Sequence, residues 1–334
     1  MEYLVSIRCN TFNQASYIED AMNGFCMQQT NFPFVAVIID DASTDGEQEV
    51  IRKYVDEHFD HSPESGFKEW ETEDAFWTFA QHKENKNCYF VAVYLKKNLF
   101  GNPKKNAITK EFLQSKYIAL CEGDDYWVDP HKLQKQVDFL EGHEECSMTA
   151  CAAYWETIEG KREIHRVSDR PRNLTTDEVI LGGGGYLTTC SLVANRKKLF
   201  DSIPQWRKMA NVGDFPLQIH ATLVGELHFI PDVMCVYRNG VEGSWSNKYL
   251  RGDIQHLMSH RRAEIVWMQE LDKATIGKYQ VAIYTYLKDY YPALYQNRML
   301  SFKEYLHSVR VIGGRDDYMR LLRKTIKRMM RIHC

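Results

Sequence analysis

The 334-residue sequence predicts an α/β fold, a mostly parallel sheet flanked by helices and followed by a helical C-terminal extension. Three observations predict it. Short apolar runs at Leu4–Cys9, Phe34–Ile39, Cys88–Tyr94 and Tyr117–Cys121 alternate with helical stretches at Ala15–Gln29, Glu47–His58 and Pro103–Gln114, the spacing of βαβ units. Two of those runs end in carboxylates, Asp40-Asp41 after one and Glu122, Asp124 and Asp125 after the other. Beyond Arg251 nearly every segment carries helical periodicity.

The remaining elements follow in order. Asp60–Lys86 mixes acids with aromatics and reads as an inserted surface loop or helical excursion. Pro130–Glu141 is helical, with Asp129 able to cap it and Pro130 suited to its first position. Cys146–Trp155 and Lys161–Val167 read as strands, and Arg170–Gly185 as a loop ending in four glycines. Those glycines permit close backbone approach to a ligand or simply make the loop flexible. Tyr186–Ala194 is strand-like, Asn211-Val-Gly-Asp214-Phe-Pro216 opens a helix to about Leu223, and Glu226–Ile230 and Val233–Tyr237 are short strands. No internal repeat is present.

Composition narrows the class. Apolar content of 44% and charged content of 26% are those of a globular protein, with aromatics high at 13%. The net charge of −3 conceals a basic end, since Arg315–Cys334 carries seven Lys/Arg against two Asp. No nucleic-acid partner is expected. The N-terminus lacks a basic leader and no apolar run approaches the roughly 18 residues of a membrane span, so a cytoplasmic protein is expected. Nine cysteines without a C-x-x-C pair read as reduced core thiols. His256 and His260 share a helix face, but the stretch lacks the glutamate of a zinc-protease motif.

The chemistry concentrates at Tyr117–Pro130. An apolar strand gives way to three carboxylates within four residues, at the strand end where open α/β sheets bind ligands. Packed carboxylates repel unless a proton or cation relieves them, and hard cations such as Mg²⁺ and Mn²⁺ prefer oxygen ligands. An acidic surface turn before a helix is the competing reading.

Taken together, Val5–Asn13, Ile38–Gly46 and Glu122-Gly-Asp-Asp-Tyr-Trp127 resemble the family 2 glycosyltransferases of the GT-A fold, over about residues 3 to 245. The resemblance implies a GT-A-like sheet and roles for matching positions. Asn10, Thr11, Phe12 and Asp41 would hold the nucleotide, Lys105 the phosphates, and Asp124 and Asp125 a metal (Mn²⁺ or Mg²⁺) together with the donor. Arg8 and Asn10 depart from the apolar residue and proline common there, and Glu122 from the usual acid or small residue. Asp214 matches the family's general base, with Glu226 and Glu242 next in line; His228, Tyr237, Arg238 and Trp245 would line the acceptor side.

The function so implied is metal-dependent inverting transfer from a nucleotide diphosphate sugar, preferably a UDP-sugar, to a hydroxyl of a glycan or lipid-linked acceptor in surface polysaccharide synthesis. A catalytically inactive nucleotide- or sugar-binding scaffold and a sugar nucleotidyltransferase are the alternatives. The expected division is a catalytic domain over 1–245, its nucleotide half ending near 130, and an extension over 246–334. Within the extension, residues 318–332 alternate apolar and basic positions at helical spacing. That pattern suits peripheral contact with an anionic membrane on the inner face of the cell membrane, or packing on the protein's own helices.

Overall fold

The structure, a computed structural model, describes residues 2–241 and 254–311 except 309, together with residue 319. Trp245, Glu242, the expected domain boundary and nearly all of the basic tail therefore lie outside the described residues. The chain forms two compact units. One comprises Met1–Leu174, Leu187–Ser202 and Ala221–Asn247, the other Thr175–Tyr186, Ile203–His220 and Lys248–Cys334.

The first unit is built on a 13-stranded mixed sheet. Its centre is β1 (Val5–Thr11), α1 (Ile18–Cys26), β2 (Phe34–Asp40), α2 (Glu47–His58), β3 (Phe59–Asp60), β4 (Lys68–Glu71), β5 (Ala75–His82), β6 (Cys88–Leu95), α3 (Lys104–Thr109) and β7 (Tyr117–Leu120). Strands β7, β1, β2 and β6 lie side by side in that order, and each adjacent pair is parallel. Every residue of β2 and β6 is buried, as continuous apolar runs must be when both faces of a sheet are covered. Alternation then divides them. Phe34, Ala36 and Ile38 feed one core, while Val35, Val37 and Ile39 feed the other.

The chain continues through β8 (Tyr126–Trp127), α4 (Lys132–Gly142), β9 (Cys146–Thr157), β10 (Arg162–His165), β11 (Arg172–Leu174), α5 (Thr176–Gly182), β12 (Val193–Asn195), α6 (Arg196–Leu199), α7 (Gln205–Lys208), α8 (Asp214–Val224) and β13 (Glu226–Asn239). Strand β12 joins β7 to β9 by antiparallel pairing, and β13 runs parallel to β9.

Several expectations need correction. The 60–86 insertion is neither loop nor helix: β4 and β5 form a hairpin, and β5 pairs antiparallel with β6 to extend the sheet. Trp70 and Trp77 stack across it, centroids 5.4 Å apart. The two strands expected at 226–237 are one 14-residue strand with register shifts around Ile230 and Val233, where Pro231 cannot donate to the ladder. Helix α4 starts two residues later than Pro130, because Asp129 turns its carboxylate to the N–H of His131 instead of capping from its own position. The 170–185 segment holds β11 and α5, the latter closed by a capping box between Thr175 and Glu178. Two of its glycines are held against aromatic rings: a Cβ on Gly182 would lie 2.3 Å from Tyr186 and one on Gly183 2.7 Å from Tyr286.

In the second unit, Trp267 of helix Ile254–Ala274 is fully buried against Trp206 and Phe215, with centroids 6.1 and 5.7 Å away. Helices Gln280–Tyr286 and Tyr290–Gln296 follow, matching the helical C-terminal extension. Among the described residues no helix is long and apolar enough to cross a membrane.

Candidate functional site

Parallel pairing puts the C-terminal ends of β1, β2 and β7 on one edge of the sheet, where Thr11 pairs with Asp40 and Arg8 with Leu120. The three loops that leave this edge are tied to one another. The N–H of Asp41 donates to the Thr11 carbonyl and that of Gly123 to the Asn10 carbonyl, both at 3.0 Å. Thr44 N–H donates to Asn13 Oδ1 at 2.8 Å, and Asn13 N–H to Ser43 Oγ at 2.9 Å. Asn13 in the loop after β1 and Ala42 in the loop after β2 adopt φ of 55° and 61°. Left-handed backbone at a non-glycine residue costs on the order of 1 kcal/mol, and such strain clusters at functional sites.

Asp40 and Asp41 part company at this edge. Asp40 is buried and faces its own loop, accepting the Ser43 N–H and the Gln48 side chain. Burial pushes its carboxyl up. Asp41, 2% exposed, meets Lys105: Oδ2 lies 3.1 Å from Lys105 Nζ while Oδ1 accepts the Leu99 N–H at 2.6 Å. The structure thus joins two sequence-predicted residues that are far apart in the chain.

Asn10, Thr11 and Phe12 differ in what they present. Thr11 is buried, and its hydroxyl bonds Glu47 and Gln14. Phe12 is 37% exposed at the loop crest. Asn10 Nδ2 reaches Glu122 Oε1 at 3.5 Å, while its Oδ1 is buried without a partner.

The acidic loop packs against β1. Gly123 is obligatory there, because a Cβ would stand 2.3 Å from Thr11 Oγ1. Glu122 is pushed up to about 7, first by burial, with Arg8 pulling it back and Asp124 adding repulsion. Arg8 is in turn lowered by burial, supported by Glu122, and donates to Asn106 Oδ1 at 2.7 Å. Two of the three departures from the family pattern, Arg8 and Glu122, thus carry opposite charges that support one another. Asp124 is half-buried, and burial raises its carboxyl. Asp125 is 2% exposed, turns inward to accept the Arg238 N–H at 2.9 Å, and is raised well above the usual carboxylate range by burial.

The acids of this loop fit a hard cation in one specific way. Among the described residues no group of three or more His, Cys, Asp or Glu is arranged to hold a metal. An all-oxygen pair, Asp124 with Glu122, whose mutual repulsion a positive charge would relieve, matches Mg²⁺ or Mn²⁺ that takes its other ligands from a diphosphate and water.

The other expected residues are carried by later elements. Asp214 begins α8 in the second unit, half-buried and acting electrostatically on buried Glu264. Glu226 and His228 stand at the start of β13, at the opposite end from Arg238 and so on the order of 35–40 Å from the acidic loop along the strand. His228 stacks on Phe139 at 3.8 Å and pairs with Asn173, so neither serves this edge. Tyr237 lies beside Trp155, 6.0 Å away, on the sheet face opposite Arg238. Sequence reasoning underrated Arg238, whose only signal was its place at the end of the last strand.

Comparison with solved structures decides the fold. Residues 1–349 of S. aureus TarS, crystallised with UDP-GlcNAc, superpose with a TM-score of 0.57 at 14% identity, covering 93% of this chain and 82% of that one. The chain shares the fold of TarS. The complex of TarS 1–349 with UDP gives 0.54 at 15% identity, covering 95% and 80%. The architecture is therefore an α/β fold, a mixed sheet flanked by helices, shared with TarS. No protein-family model matches the chain. In sequence it is 31% identical over 251 residues to the uncharacterized protein Rv1520 of Mycobacterium tuberculosis and to Mb1547 of Mycobacterium bovis. The match covers 73% of this chain and spans 61% of those relatives. The provisionally named teichuronic acid biosynthesis glycosyltransferase TuaG of Bacillus subtilis is 24% identical over 177 residues, covering 53% of this chain and 57% of TuaG.

Proposed function

We propose that the protein is a metal-dependent inverting glycosyltransferase of family 2, moving a sugar from a nucleoside diphosphate sugar, UDP-linked by preference, to a hydroxyl of a surface glycan or lipid-linked acceptor. The observation that carries this is the convergence of Asp41–Lys105 and Glu122–Asp124 on one sheet edge, in a fold shared with a protein crystallised with UDP-GlcNAc.

In this reading Asp41 receives the base and Lys105 neutralises phosphate, both already paired at 3.1 Å. Phe12 offers its exposed ring beside the nucleotide, and the backbone of Asn10 and Thr11 sets the loop. A bound Mn²⁺ or Mg²⁺ supplies charge stabilisation to the departing diphosphate. Asp124, with Glu122 beside it, holds that cation; Asp125, called a ligand on sequence grounds, contributes by fixing the loop from inside. Asp214 removes the acceptor proton as attack occurs. Such an enzyme works at the cytosolic face, where nucleotide sugars and lipid-linked acceptors meet.

Calorimetry with UDP and GDP, each in Mn²⁺ and in EDTA, tests the donor site. The expected result is UDP binding that requires the cation; equal affinity in EDTA overturns the metal assignment. Incubation with a panel of nucleotide sugars, reading released sugar by mass spectrometry, then identifies the donor without an acceptor.

A further inference from the structure

A single residue outside the acidic loop grips both of its consecutive aspartates. The backbone N–H of Arg238 donates to Asp125 Oδ1 at 2.9 Å, and its guanidinium donates through Nη1 to the Asp124 carbonyl at 3.1 Å. Two contacts on adjoining residues fix which way the dipeptide faces, with Asp125 inward and Asp124 outward. The guanidinium is itself held on every side. It pairs with Asp20 of α1, lies 3.5 Å through Nε from Glu156 of β9, and covers the rings of Tyr126 and Tyr17 at 4.4 and 5.1 Å.

That burial has a cost. The side chain is only 14% exposed, and a charge so placed is often replaceable by apolar packing without loss of stability. What an apolar residue could not reproduce is the planar fork that reaches a carbonyl and two carboxylates from one rigid group. Glu156 is anchored independently by Arg162, 2.8 Å away, so the Arg238 clamp rests on a fixed partner.

We propose that Arg238 is the positioning residue of the acidic loop: it ties α1 and β9 to the Asp124–Asp125 peptide and so aims the Asp124 carboxylate at the cation of the donor complex. The clamp rests on geometry; its consequence for the cation rests on the donor reading above.

Two measurements on the full chain separate these. In ligand-free protein, hydrogen exchange read by mass spectrometry over residues 122–127 should be at least tenfold faster in Arg238→Ala than in the wild type, intermediate in Arg238→Lys, and raised less in Asp20→Asn. Unchanged exchange in Arg238→Ala overturns the clamp, whatever the protein binds. UDP affinity should fall tenfold or more in Arg238→Ala when measured in Mn²⁺, while the weak residual affinity left in EDTA, titrated at high UDP, changes less than twofold, a split that general loss of structure would not give. An equal loss in both overturns the aim at the cation. If the wild type ignores UDP with Mn²⁺ while exchange accelerates in the variant, the clamp stands and the donor reading falls. Should Arg238→Ala not fold, Arg238→Lys and Asp20→Asn carry the same exchange test, and wild-type rates in both overturn it.

Discussion

Asp124 and Asp125 have the same side chain and adjoining positions, yet one is half-buried at the sheet edge and the other accepts a backbone N–H in the interior. Residue type made both legible in the sequence as acids at a strand end; their division of labour depends on Arg238, more than a hundred positions away, which no local pattern reveals. Gly123, immediately before them, was equally silent. Gly123→Ala forces a Cβ to within 2.3 Å of Thr11 Oγ1 and should cost about 1–3 kcal/mol, read as a fall in denaturant midpoint with unchanged slope. Asp214→Asn should lower transfer at least a hundredfold while UDP·Mn²⁺ binding stays within a few fold, because the amide keeps the shape but takes no proton. Turnover near wild type would move the base elsewhere. His220 gives a pH prediction free of the site. Burial, with Arg207 adding repulsion, pushes its imidazole down to about 4 from 6.5. Between those values the unfolded chain binds a proton that the folded one refuses, so this contribution is complete above pH 6.5 and is lost as pH falls toward 4. Between pH 7 and 5, the wild type should lose about 2 kcal/mol more stability than His220→Gln, checked by urea unfolding of both.

Among the elements, those with one strong local signal were legible. The apolar runs of β1, β2, β6 and β7 and the span of α2 emerged within a residue or two. The 60–86 hairpin did not, because β4 exposes most of its residues and its pairing with β5 is stabilised by cross-strand contacts such as Trp70 on Trp77 instead of by alternation. Short α5 was missed although its signal was present: Thr175-Thr-Asp-Glu178 is a capping box, and four glycines directed attention to a loop. A helix of 7 residues has little propensity to spare, so its cap should matter. Thr175→Ala should cost about 1 kcal/mol, measured by thermal unfolding, with Glu178→Ala costing less because the Thr175 hydroxyl still caps the backbone N–H of residue 178. No change in either variant would mean that burial of Val179 and Ile180 alone holds the helix.

On the scale of the whole molecule, charge is unevenly placed. Residues 315–334 carry seven Lys/Arg and two Asp, so the rest of the chain is strongly acidic although the total is only −3. Uneven charge of this kind directs association with surfaces of the opposite sign, and says nothing about the fold. In the tail's sequence, Met319, Leu322, Ile326, Met329 and Met330 recur at helical spacing between Arg320, Arg323, Lys324, Lys327, Arg328 and Arg331. Each basic residue near anionic lipid contributes on the order of 1 kcal/mol, enough collectively for attachment that screening by salt would weaken. Attachment of that kind would suit an enzyme whose acceptor is lipid-linked. We therefore expect the full chain to co-sediment with phosphatidylserine-containing vesicles at low salt and to be released as salt rises past physiological strength, while a chain ending at Gly314 stays in the supernatant throughout. If both chains remain in the supernatant, the membrane proposal for the tail falls, and the proposed lipid-linked acceptor would have to be reached without it.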